Sequence, residues 1–520
     1  MPTARRLFMA VLCCALSFGA AEAQAAKGAR AQTLERVVHL APPGAGGSRY
    51  AYVPFDVPRG AVRVAVSYAY ERAGGENTID IGVFDARSTG SDADPRGFRG
   101  WSGGRRSEFF ITRDEATPGY LPGELPAGTW RVILGLYKVA PAGVDVSFKI
   151  VVETEGDGTG SAAAASLRRA DNPSASPATA SGGDAAGPRT PVRQAAGRGL
   201  RWWSGDLHMH TVHSDGDWTV PGLASAAREA ALDFIFVTDH NTSSHHAEVA
   251  HVAKDSRRPL VLRGEEITTY GGHTNAWGLP AGGWVDFRVR PGDSARMSEA
   301  AARAHGYGAL VSLNHPFALC GGCAWSYGEA LKDFDAVEVW NGDWDGTDES
   351  ALKMWDEALR RGLRLTAVAS SDSHRPQNPI GRPTTHVAAG ALKQAALLDA
   401  VRRGRVYLTG EAARPFVSFG AERRGGGRTP RALPGDEIRL NAPGVVGFYV
   451  TVRDAPPDAI VSVISDGRLL RGVPVGPNGG LLLLEILCQG DSYYRVEVRD
   501  RSGEMLALTN PIYVKVRTGR

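Results

Sequence analysis

The sequence predicts a multidomain protein, with an α/β domain at residues 203–410 flanked by all-β sandwich domains at residues 34–154 and 412–517. Three observations predict it. Between Trp203 and about Gly410, apolar strand-like runs alternate with amphipathic helical stretches, the pattern of an α/β barrel or open parallel sheet. Short period-two segments separated by Gly and Pro fill both flanks, as half-buried strands do. Residues 155–199 hold Ala, Gly, Ser, Pro and Thr with almost no large apolar side chain, so they bury too little to fold and read as a flexible linker. A length of 520 residues suits about three domains.

Each element follows from its local pattern. Arg5 and Arg6, the apolar run Leu7 to Ala20 and the small-x-small Ala21-Glu22-Ala23 read as an export signal, residues 1–23. The run is shorter than the roughly 20 residues a spanning helix needs. The mature chain is therefore expected in the periplasm or outside the cell, without a membrane span. In the first β domain, alternation is clearest in residues 62–68, 78–84, 129–134 and 144–151, as in a sandwich. In the α/β domain, strands are expected at 233–238, 260–262, 309–313, 336–340 and 365–369. Helices are expected from Pro221 to Ala231, capped by Thr219, and from Asp348 to Arg361. Residues 446–450, 459–464 and 494–498 return to strand character.

Composition bounds the partners. A formal net charge of +3 is small for this length and argues for neither nucleic acid nor an acidic membrane surface as a dominant partner, and no nucleic acid is expected. The sequence sets no oligomeric state. Beyond the leader, which contains Cys13 and Cys14, the cysteines are Cys320, Cys323 and Cys488. Cys320-Gly-Gly-Cys323 is expected to close a local disulfide in an oxidising compartment. No second Cys-x-x-Cys follows to complete a four-cysteine zinc site.

The chemistry-bearing residues gather just after the expected strands. Asp206-Leu207-His208-Met209-His210 places two imidazoles on one face of an extended segment. Ser214-Asp215-Gly216 offers a carboxylate in a turn. The strand ending at Thr238 runs into Asp239-His240, and the one at 260–262 into Gly264-Glu265-Glu266, with Gly272-His273 soon after. The remaining strand ends carry Asn314-His315-Pro316 and Ser371-Asp372-Ser373-His374. In parallel α/β folds such ends converge on one mouth. Histidine and carboxylate donors there suit zinc, manganese or iron. A lone histidine is ordinarily a surface or core residue, but this many strand ends finishing in His, Asp or Glu point to a metal cluster.

These motifs resemble the polymerase-and-histidinol-phosphatase (PHP) superfamily over roughly 200 residues: His208-x-His210, Asp215-Gly216, Asp239-His240, Gly264-x-Glu266, Gly272-His273, Asn314-His315-Pro316 and Ser371-Asp372-x-His374. The Gly205-Asp206-Leu207-His208 opening and Gly272-His273-x-Asn275 are similar to the branch containing carbaryl-type carbamate hydrolases. The resemblance implies a distorted seven-stranded (β/α) barrel holding two or three divalent ions. It implies His208, His210, Glu266 and Asp372 on one ion, and Glu266 bridging to a second with His273 and His315. Asp215, His240 and His374 would hold the third.

Other residues read less sharply. Glu265 is expected beside or outside the cluster, Asp239 as an orienting carboxylate, and His213 as exposed or supporting. His245, His246, His251, His305 and His386 read as ordinary histidines. Glu338 and Asn341 lie near a strand end and read equally as core residues or as residues facing the mouth. Arg375 and Arg382 flank the last motif and are candidates for neutralising an anionic substrate.

The expected activity is hydrolysis of a small-molecule ester, with hydroxide supplied between the ions as nucleophile and His240 or Asp372 handling protons. Phosphoesters lead, because most enzymes of the resembled superfamily act on phosphates. Carboxyl esters or carbamates are the alternative within hydrolases. A non-catalytic metal-containing binding protein is the alternative outside them.

Overall fold

The computed structural model describes residues 30–44, 47–155, 195–255, 258–412, 414–424, 431–476 and 479–517. The expected export signal and residues 156–194 of the expected linker lie outside the described residues. Among the described residues no helix is long and apolar enough to cross a membrane.

The first eight strands are β1 (Arg30–Leu40), β2 (Tyr50–Val57), β3 (Ala61–Tyr70), β4 (Thr78–Phe84), β5 (Phe98–Gly103), β6 (Glu108–Thr112), β7 (Gly128–Lys138) and β8 (Val144–Thr154). They form two antiparallel sheets, ordered β1-β8-β3-β6 and β2-β7-β4-β5. Period two explains the layering: in β8, Val144, Val146, Phe148 and Ile150 are buried while Asp145, Ser147 and Lys149 face out. Trp130, Ile79, Ile81 and Val132 fill the space between the sheets.

The central region follows with β9 (Ala195–Gly197), β10 (Leu200–Asp206), α1 (Val220–Glu229), β11 (Phe234–Val237), α2 (His246–Asp255), β12 (Leu260–Thr269) and β13 (Gly272–Trp277). It continues through α3 (Ser294–Gly306), β14 (Leu310–Asn314), β15 (Ala336–Asn341), α4 (Gly346–Arg360), β16 (Thr366–Ser370), β17 (Thr384–Ala389), α5 (Gln394–Arg402) and β18 (Val406–Thr409). The last residues of the expected linker are thus a strand, since β9 pairs with β10. Thr219 caps α1 by accepting from the Gly222 N–H, with Pro221 in the first turn. Asp345 and Asp348 form a capping box that starts α4.

The sheet runs β16-β15-β14-β13-β12-β11-β10-β17-β18. It is mixed rather than parallel throughout: β10 to β12 are parallel, β14 to β16 are parallel, and β13 is antiparallel to both neighbours. Only Tyr270 and Gly271 separate β12 from β13, and so short a connection can only make a hairpin. Between the two ends of this series, β16 and β10, the described residues share no ladder. Their extensions meet at one parallel bridge, Met209 to Ser373, and the His210 N–H donates to the Ser373 carbonyl at 3.0 Å.

The last strands are β19 (Phe416–Arg423), β20 (Glu437–Leu440), β21 (Gly444–Arg453), β22 (Ile460–Ser465), β23 (Arg468–Pro474), β24 (Gly480–Cys488), β25 (Ser492–Arg499), β26 (Met505–Thr509) and β27 (Ile512–Val516). Strands β19-β21-β24 form a separate sheet, but β26 pairs with β18, so the other layer continues the central sheet. The expected second sandwich therefore shares one of its layers with the α/β region. Two polar devices tie the join. Asn510 accepts from the Ala367 N–H at 2.8 Å and donates to the Ala367 carbonyl at 2.9 Å, so a side chain completes the backbone of the outermost strand β16. Buried Arg495 grips Asp356 of α4 through two bonds of 2.9 and 2.6 Å, with Glu497 at 2.6 Å and the Tyr493 hydroxyl donating to Asp356 at 2.9 Å.

The N-terminal sandwich is seated on the central region. Phe98 stacks on Trp284 with ring centroids 4.1 Å apart, and Trp101 lies 4.7 Å from Phe287. Arg288 is buried between them and the sandwich, donating to Tyr52 Oη and to the Ser91 and Asp94 carbonyls. Gly119 accepts from Thr242 Oγ1 at 2.9 Å, and its N–H donates to Ser244 Oγ at 3.1 Å. With φ at +99° and the His213 carbonyl 3.0 Å from where a Cβ would stand, only glycine fits there.

Candidate metal centre

Strand register brings the candidate donors together. Glu266 of β12 bridges to His240, just beyond β11. His273 of β13 lies opposite Thr268 on one side and Asn314 on the other. His208 and His210 extend β10, and Asp372 and His374 follow β16. His208 and His210 are fully buried.

The distances describe one continuous cluster. Glu266 Oε1 lies 3.3 Å from His208 Nε2, from His273 Nδ1 and from His315 Nε2. Its Oε2 lies 2.6 Å from His240 Nδ1. Asp372 Oδ1 is 3.0 Å from His210 Nε2 and 3.4 Å from His208 Nε2. Asp215 Oδ1 sits 3.3 Å from His374 Nε2 and 3.4 Å from His240 Nε2. Ligand-like groupings follow: His208 with His210 and Glu266, His208 with His315 and Asp372, Glu266 with His273 and His315, and Asp215 with His210, His240 and His374. All nine predicted donors are brought together, and His210 stands near two groupings rather than one.

The donor set fits metal ions. Among the described residues, His208 Nε2, both ring nitrogens of His210, Asp215 Oδ1, His315 Nδ1 and Asp372 Oδ1 are buried without a hydrogen-bond partner. Buried polar atoms are ordinarily paired, and orphans on this scale call for a ligand. His315 and Asp372 also hold positive φ, 24° and 50°, a strained backbone for such side chains that is typical of functional positions.

Charge coupling is strong. Burial favours a neutral His208, yet Asp372, Glu266 and Glu338 hold it well above the usual histidine range. Burial, with His374 and His240 nearby, lowers His210 to about 4. Against burial, His240, His208 and His273 hold Glu266 well below the usual carboxylate range.

Supporting residues emerge around these donors. Glu338 places Oε1 3.2 Å from His208 Nδ1, while Oε2 accepts from the His315 N–H at 3.1 Å and from Asn341 at 3.0 Å. A carboxylate behind an imidazole fixes its tautomer and aim. A single acid inside the apolar run Ala336 to Trp340 was the available signal. Asp206 accepts from the backbone N–H groups of Ser371 and Gly381, tying β10 to the Asp372 loop. Asp239 accepts from Thr211 and Ser214, fixing the loop that carries Asp215, and its Oδ2 lies 3.3 Å from the Nδ1 of buried His245. Glu265, one residue from Glu266 on the same strand, faces away and accepts from the Val285 N–H at 2.9 Å. Burial raises its pKa well above the carboxylate range.

The cluster floors a cavity of about 770 Å³. Cys320 and Cys323 are disulfide-bonded and line it, with Cys323 Sγ 3.9 Å from His273 Nδ1. Arg375 lines the rim. Arg382 is not among the residues that line the cavity, and its guanidinium pairs with Glu411 at 3.3 Å.

No family model matches the chain, and no curated protein does. Among solved structures it is similar to a two-domain protein from Bacteroides vulgatus, described as containing a predicted PHP-like metal-dependent phosphoesterase, at 18% identity over 64% of this chain and 100% of that one, with a TM-score of 0.37. A putative metal-dependent phosphoesterase from Bifidobacterium adolescentis matches at 19% identity over 34% and 90%, TM-score 0.28. An amidohydrolase from Chromobacterium violaceum matches at 17% identity over 34% and 89%, TM-score 0.27.

Proposed function

We propose that this chain is an exported metal-dependent hydrolase acting on phosphate esters. The observation that carries the reading is the ring of buried, unpartnered histidine and carboxylate atoms at the floor of one cavity. His208, His210, Glu266, Asp372, His273, His315, Asp215, His240 and His374 would hold two or three divalent ions of zinc, manganese or iron. Such ions supply hydroxide near neutral pH and polarise the oxygen of the group under attack. The chain's own residues do the rest. Glu338 and Asp206 hold the donors in place. Of the two expected proton carriers, His240 has Nδ1 engaged by Glu266, whereas Asp372 Oδ1 is unpartnered; the acceptor role is assigned to Asp372.

The choice of a phosphoryl group rests on the motif resemblance. One observation favours a second reading: Trp101, Tyr137 and Tyr270 give the cavity an aromatic side that suits an aryl carbamate. A side-by-side turnover assay on manganese- or zinc-loaded protein, with a chelated control, separates the two. Phosphate release from a phosphomonoester or diester that vanishes on chelation is the expected result. Cleavage of the aryl carbamate alone would replace it, and silence on all substrates would favour a binding protein.

A further inference from the structure

The cavity is not built by the central region alone. Its floor is the donor cluster, but one wall belongs to the N-terminal sandwich: Thr78 and Asp80 of β4, Trp101 of β5, Gly104 and Arg105 just beyond it, and Tyr137 of β7. This wall is fixed rather than apposed by chance. The Tyr270 hydroxyl donates to Asp80 at 2.6 Å across the boundary, and the Gly321 N–H donates to Tyr137 Oη at 2.9 Å. Gly119 is clamped to the loop that follows His240, with no space for a side chain.

Two features of the wall point to a ligand. Tyr137 of β7 is 37% exposed and lines the cavity, with its ring 6.0 Å from that of Tyr270, which lines it as well. An aromatic ring left partly open in a cavity suits a flat ring of a ligand, stacked with an offset or edge to face. At the rim, Arg105 lies 2.6 Å from Asp217 and Arg375 lies 3.6 Å from the same carboxylate. Two guanidiniums share one acid beside the opening, and a guanidinium binds carboxylates and phosphates through paired N–H donors.

We infer that the N-terminal sandwich is the specificity wall of the hydrolase: Tyr137, beside Tyr270, receives a flat ring on the substrate's leaving group, and Arg105 with Arg375 binds a second anion carried by that ring. The inference rests on the phosphoryl reading above and narrows it to phosphoesters of planar, anionic leaving groups.

The test is calorimetric titration of methylphosphonate, phenylphosphonate, 4-carboxyphenylphosphonate and 1,4-phenylenebisphosphonate into the manganese-loaded full chain, with bound metal measured in each sample. Wild type should bind a ring carrying a second anion about tenfold tighter than phenylphosphonate. Comparison of the last two probes tells whether carboxylate or phosphate is preferred. Arg105→Ala should erase that tenfold advantage and leave methylphosphonate unchanged. A Cβ on Gly104 would meet only Asp80 Oδ1 at 3.4 Å and Thr78 Cγ2 at 3.5 Å, so Gly104→Phe fits the backbone and fills the space beside the wall. It should weaken every aryl probe about tenfold and spare methylphosphonate. Aryl binding indifferent to both variants would overturn the inference while the phosphoryl reading stands. Failure of every phosphonate to bind loaded wild type would overturn both.

Discussion

Asp356, Tyr493, Arg495 and Glu497 form one buried polar cluster, between α4 and the C-terminal strands; the histidines and acids around Glu266 form another, at the strand ends. In the first, both Asp356 oxygens are bonded, Arg495 spends its donors on two acids, and Arg499 donates to the remaining Glu497 oxygen at 2.8 Å. In the second, imidazole nitrogens and carboxylate oxygens are left without partners in the same degree of burial. The chain can evidently close a buried polar network where architecture alone is at stake. An open one therefore marks a place completed by something other than protein.

Removing one member from each cluster separates the two kinds. Asp372→Ala should abolish turnover, by at least about 10³-fold, while leaving the fold intact; near-normal kcat on metal-loaded variant would remove Asp372 from the scheme. Asp356→Ala should do the opposite, lowering stability by about 2–3 kcal/mol because buried Arg495 loses one of its two acids and the Tyr493 hydroxyl loses its acceptor. Denaturant unfolding measures it, and an unchanged midpoint would make the closed cluster irrelevant to stability. Glu338→Gln, which keeps the shape but weakens the acceptor behind His208, should reduce metal affinity about 10- to 100-fold, read by metal titration. Arg375→Ala should raise KM by several-fold, whereas Arg382→Ala should change it less than about twofold, since that side chain faces Glu411; equal effects would break the placement.

The smallest effect concerns an exposed ion pair outside both clusters. Its hydrogen bond with Asp335, at 2.8 Å, raises the His305 pKa above the ordinary value. A histidine raised on folding contributes stability that is complete below its unfolded pKa of about 6.5. That contribution is lost as pH rises through the folded value. His305→Ala should flatten this part of the Tm–pH profile; an unaltered slope would assign it elsewhere.

How much of this was legible follows from what local pattern records. Strand ends at Thr238, Leu313 and Ala369 stood out because apolar runs stop abruptly at polar ligand-like residues. Strand β13 was hidden although His273 was not: all six of its residues are buried, so neither face shows a period. Its antiparallel sense was set by a two-residue turn rather than by helix alternation. Arg382 lies outside the cavity lining because nearness in sequence to Asp372 does not carry through the loop. Tyr137 and Arg105 had no motif at all, being placed by docking against residues more than a hundred positions away. The fusion of the C-terminal strands with the central sheet was equally invisible, since the β18–β26 ladder joins segments about a hundred residues apart.

That ladder bears on where the chain can be divided. The sequence suggests a clean cut near residue 411, yet such a cut would remove Asn510 from β16 and β26 from β18 together. Two strands would then present bare backbone donors and acceptors, ready templates for a strand of another molecule. Asp372 lies two residues past one of them. An isolated central fragment is thus expected to self-associate through these edges, and autonomy of the central region ends where its last neighbour strand is taken away.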